Sequence, residues 1–170
     1  MDSFDFIGSL ITFLLGLAFG AGAVFAVVKD KFKQQQQMQS ARRINILEQV
    51  AQHIGKVSHV FSKYTSLVSE IGPKVERMST KQQRELEDLS AQLVEVYEEV
   101  SIAESKLMLL GEQRLVKAMK LYTGTMAQYR KQIYPGRYNN PDEARQLKGD
   151  VSQMREQFYD ILSQRYDQKP

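Results

Sequence analysis

The sequence predicts an all-α protein: a single N-terminal transmembrane helix followed by an antiparallel up-down four-helix bundle. Three observations predict it. Phe6 to Val28 is a run of 23 residues without a charge. Beyond residue 43 the apolar residues recur at spacings of three and four between helix-start and helix-stop signals, and no stretch alternates with period two as a strand would. Average composition alone, with 42% hydrophobic and 25% charged residues, would describe an ordinary soluble domain, so the uneven distribution along the chain carries the information.

The first element is the anchor, residues 1–28. As a helix, 23 residues rise about 34 Å, enough to cross a hydrocarbon core of about 30 Å. Thirteen of the side chains from Phe6 to Val28 are Leu, Ile, Phe or Val, which favours insertion despite four glycines. Ala21-Gly22-Ala23 has the small-x-small form of a signal-peptide cleavage site. However, the chain opens Met1-Asp2-Ser3-Phe4-Asp5 where a signal peptide carries positive charge, so a retained anchor is expected. Gly16 and Gly20 form Gly-x-x-x-Gly, and Ala18 and Gly22 add small residues of the kind that let two membrane helices approach, which makes a dimerising anchor a candidate feature.

The second element is a basic, Gln-rich juxtamembrane stalk, residues 29–43, with Lys29, Lys31, Lys33, Arg42 and Arg43 against Asp30. These bases follow the span while Asp2 and Asp5 precede it. The positive-inside rule therefore places the C-terminal domain in the cytoplasm (at the inner membrane, in a bacterium). Gln34 to Gln37 lacks Gly or Pro and is expected to continue as helix. Residues 44–170 hold eighteen bases and seventeen acids, so the net charge of +3 belongs to the stalk. Nucleic acid is thereby not expected as a partner, since binding it needs a concentrated basic face on the folded domain.

The bundle, residues 44–170, is predicted as helices over about 44–71, 79–110, 112–134 and 141–167. The first places Ile44, Leu47, Ala51, Ile54, Phe61 and Val68 on one stripe, and Val50, Val57, Tyr64, Leu67 and Ile71 on a second. It stops at Gly72-Pro73, where Gly supplies a left-handed cap and Pro refuses continuation. Ser79 with Gln82 three residues on is a capping box for the second helix, whose core is expected at Leu86, Leu89, Leu93, Val96, Val100, Ala103, Leu107 and Leu110. Gly111 is then the only breaker before Tyr134: either the chain turns there into an antiparallel hairpin, the expectation adopted, or one helix of more than fifty residues runs through. Seven acids and no base between Glu85 and Glu104, followed by seven bases and one acid between Lys106 and Arg137, suggest an acidic helix folded against a basic one. The third helix directs Leu115, Ala118, Tyr122, Met126, Tyr129 and Ile133 inward. The fourth opens at Asn140-Pro141-Asp142-Glu143 with Asn as N-cap and buries Ala144, Leu147, Val151, Met154, Phe158 and Ile161.

No residue set suggests catalysis or a cofactor. Without cysteine the chain has no thiol chemistry, and outside the anchor its glycines stand singly at 55, 72, 111, 124, 136 and 149, with no phosphate-binding loop. Gly-x-Ser-x-Gly is absent, and Glu98-Glu99 diverge as neighbours on a helix. No metal is expected: Val50 and Lys56 stand three residues before His53 and His59, so the Glu-x-x-His pair of di-iron bundles is missing. His53 reads as a boundary residue and His59 as solvent-facing. Tyr134, Arg137 and Tyr138 gather hot-spot residue types on one connector and form a candidate partner-binding loop.

The expected partners are the membrane and a protein, either another chain or a second copy in a homodimer. The expected function is a non-enzymatic interaction or scaffold module. A transmembrane signalling element and an enzyme or lipid-handling bundle with an interhelical pocket are the alternatives.

Overall fold

A computed structural model describes residues 3–73, 78–136 and 140–167, with the backbone alone over 3–30. Its four helices are α1 (Ser3–Ile71), α2 (Thr80–Leu109), α3 (Gln113–Gln132) and α4 (Pro141–Asp167). No strand occurs among the described residues. The chain divides into two compact units, the first covering Met1–Arg42 and the second Arg43–Lys169.

Among the described residues no helix is long and apolar enough to cross a membrane. The span predicted at 6–28 lies outside the residues whose side chains are described, as do Gly16, Ala18, Gly20, Gly22 and Lys29. In the first unit the described stalk residues are helical and mostly exposed, with Lys31, Lys33 and Arg42 in solvent.

The second unit is a helical bundle. Its helix ends follow the punctuation of the sequence. Gly72, at φ +70°, donates its N–H to the Val68 carbonyl (3.0 Å) and closes α1. The Ser79 hydroxyl accepts from the Gln82 N–H, and the Gln82 side chain accepts in return from the Ser79 N–H (3.0 Å), completing the capping box. At Gly111, φ +72°, the chain turns: Gly111 N–H bonds Met108 O and Glu112 N–H bonds Leu107 O, both at 3.0 Å, which is a Schellman motif. Asn140 Oδ1 accepts from the Asp142 N–H (2.9 Å) at the start of α4.

Long-range contacts fix the order and direction of the helices. Glu104 pairs with Lys120, Tyr97 with Thr123 and Arg130 with Ser90, so α2 and α3 run antiparallel. Glu70–Gln82 and Lys56–Glu99 set α1 antiparallel to α2. Ser58–Tyr122 and Tyr64–Ile133 run between α1 and α3, which are parallel and touch across the middle of the bundle. Tyr122 stacks on Phe158 of α4 at 6.3 Å, and Phe61 meets Tyr129 edge-on at 5.5 Å. Such aromatic pairs are each worth about 0.5–1.5 kcal/mol beyond their buried area.

The core matches the three-four stripes with local differences. All six inward positions expected on α3 are buried, and Val116, Met119 and Thr123 join them because α3 is enclosed on a broader arc. Val96, Val100, Leu110, Ala144, Met154 and Ile161 are only partly buried. On α4, Leu162 takes the buried place given to Ile161. A strict seven-residue pattern drifts about 20° per heptad against a straight helix, so the seam passes to the four-step from Phe158.

Candidate interaction surface

Two clusters of charged side chains in the second unit tie its helices together. At the end where the chain enters the bundle, Glu112 is 8% exposed, accepts from Arg43 Nη2 (2.6 Å) and forms an ion pair with Arg165 Nε (3.1 Å). It sits at the N-terminal boundary of α3, where the positive end of the helix dipole adds to the two guanidinium groups. Arg43, expected from the sequence at the membrane surface with the stalk bases, is therefore held by the bundle itself.

The second group lies between α1 and α2. Glu99 Oε1 accepts from Lys56 Nζ (2.9 Å) and Oε2 bonds His53 Nδ1. These bonds, that of His53 foremost and then that of Lys56, hold the Glu99 carboxyl below its ordinary value of 4.5. The charge sorting of α2 against α3 holds only in part: Glu104 reaches Lys120 (2.7 Å), but Glu99 turns away toward α1 and Glu112 toward α1 and α4. Further along the same α1/α2 face, His59, Lys63, Glu85 and Asp88 line an open polar groove of about 600 Å³. His59 is exposed and His53 half-buried. Among the described residues no cluster of three or more His, Asp or Glu side chains could hold a metal.

The outer face between α2 and α3 is different. An open groove of about 450 Å³ is lined by Val94, Tyr97, Ala127, Arg130 and Lys131. Its walls are fixed. The Tyr97 hydroxyl donates to Thr123 O (3.1 Å), and Arg130 Nη2 donates to Ser90 O (3.3 Å), so both side chains lie along the groove with their apolar parts facing it. Burial raises the Tyr97 phenol above its ordinary value, the Arg130 charge opposing, so the hydroxyl keeps the proton it donates to Thr123 O. Val94 is 61% exposed although it is a β-branched residue in mid-helix. A recess combining Tyr, Arg and small apolar side chains has the composition of an interface hot spot.

The sequence-derived loop is only partly placed. Tyr134 is 42% exposed at the opposite end of the bundle from Glu112, while Arg137 and Tyr138 lie outside the described residues. Val94 escaped sequence reasoning because it directly follows Leu93 and falls off the core stripe. That displacement, an apolar residue on an acidic face, was the signal. Glu112 had its own signal as the single acid among seven bases.

The remaining polar groups are accounted for. No buried side-chain nitrogen or oxygen among the described residues lacks a hydrogen-bond partner. No protein-family model, curated protein or solved structure matches this chain.

Proposed function

We propose that this chain is a single-pass, membrane-anchored helical bundle that works without catalysis as a protein-interaction module, docking its partner on the α2/α3 face. The anchor rests on the uncharged run from Phe6 to Val28 and the orientation on the bases that follow it, which put the bundle on the cytoplasmic side. The observation that carries the docking role is the groove at Val94, Tyr97, Ala127 and Arg130. It sets the exposed Val94 beside a tyrosine and an arginine in one recess, whereas Ile102, Met108, Leu109 and Leu121, also exposed, do not line it. The strongly interacting charged residues, Glu99 and Glu112, are occupied in ties between helices, which supports a structural use for them.

Alkaline carbonate extraction and protease protection test the address. The full chain is expected to stay with the membrane, and residues 44–170 to be digested only from the cytoplasmic side. Release by carbonate would remove the anchored reading, and protection of the bundle on that side would overturn its orientation.

A further inference from the structure

We infer that the α2/α3 groove receives a second copy of this chain, the two bundles being related by a two-fold axis parallel to their helices, so that α2 of each copy lies across α3 of the other. The basis is how charge is divided about the groove. At about 100° per residue, Glu87, Val94 and Glu98 fall on the groove side of α2. Lys120, Ala127 and Lys131 fall on the groove side of α3, and all six are exposed, Lys120 also holding Glu104 of its own α2 (2.7 Å). The face is therefore an apolar centre with an acidic edge on one helix and a basic edge on the other.

Two in-plane two-fold axes bring such a face onto itself, and charge separates them. An axis perpendicular to the helices sets α2 on α2 and α3 on α3, acid against acid and base against base. An axis parallel to the helices sets each acidic edge on a basic one and preserves level along the bundle. The intramolecular contacts Tyr97–Thr123 and Ser90–Arg130 give that level. They put Val94 of one copy opposite Ala127 of the other, and Glu87 and Glu98 beside the partner's Lys131 and Lys120.

Size is adequate. The 20 residues of α3 make a face about 30 Å long and, across two helices, about 20 Å wide, a footprint of about 600 Å² per partner, which is at the lower end of the roughly 1,200–2,000 Å² that stable interfaces bury in total. The parallel axis also brings both copies' Arg43 to the same end, as two chains anchored in one membrane require. The pairing rests on the α2/α3 face being the docking surface.

The chain has no cysteine, so single introduced cysteines report cleanly. Differently tagged full-length copies, one Val94→Cys and the other Ala127→Cys, are co-reconstituted in vesicles and oxidised. A second mixture carries Gln83→Cys and Ser105→Cys, exposed positions on α2 that meet only in the inverted arrangement. The expected result is a mixed dimer at least tenfold stronger for 94 with 127 than for 83 with 105, and weakened severalfold by Glu98→Lys. No 94–127 crosslink, a stronger 83–105 crosslink, or indifference to Glu98→Lys would overturn the pairing. If a photo-crosslinker at position 94 captures a different protein while the cysteines stay unlinked, the pairing falls and the docking surface stands. If neither links, both fall.

Discussion

Glu112 ties three elements with one carboxylate: Arg43 at the start of the bundle, Arg165 near the end of α4, and the N-terminal boundary of α3 itself. Removing one member of a largely buried charge set costs more than the set is worth, because the partners are left without a counter-charge. Glu112→Gln is therefore expected to lower stability by about 1–3 kcal/mol, seen as a lower urea midpoint with an unchanged slope. Lys120→Ala, which breaks an exposed pair, should cost below about 1 kcal/mol. Glu99 adds a pH dependence of definite sign. Its carboxyl titrates lower in the folded chain than in the unfolded one, so its contribution is complete above pH 4.5 and is lost as pH falls through the lowered folded value. Urea midpoints measured from pH 6 to pH 3 should fall on the acid side, and Glu99→Gln should flatten that fall. A parallel, undiminished fall in the variant would assign it to other carboxylates.

At the scale of the elements, Gly111 decides whether α2 and α3 are one helix or two. A Cβ there would meet nothing within 4 Å, so the whole cost of Gly111→Ala is the left-handed backbone, about 1–2 kcal/mol. Gly111→Asn should cost less, because Asn tolerates that region, and thermal melts of the two variants in parallel check the order. Helix ends of this kind were legible in the sequence because caps and stops act through adjacent residues: Gly72, Ser79 with Gln82, and Asn140 all behave as their local chemistry requires. The core stripes were legible for the same reason, since periodicity is local. Which acid meets which base was not, because Glu99 and Glu112 find partners 43 to 69 residues away, and block charge does not say which neighbour lies closer. The groove was hidden likewise: Val94 and Ala127 become one surface only once α2 is folded back along α3.

For the whole molecule, the proposed division of labour follows the division of sequence: an uncharged run and a basic stalk would serve the membrane, and a bundle with a packed apolar core would serve the partner. On that proposal the face between α2 and α3 would join the two roles, because a docking surface on a tethered bundle meets its partner at raised effective concentration. The most direct measurement is photo-crosslinking of the full chain in native membranes, with the photoreactive residue at Val94 and, in separate samples, at Gln128 and Lys148, exposed positions on α3 and α4 outside the groove. A discrete adduct from position 94 and none from 128 or 148 is the predicted result. No adduct from position 94, or the same adducts from all three positions, would contradict it.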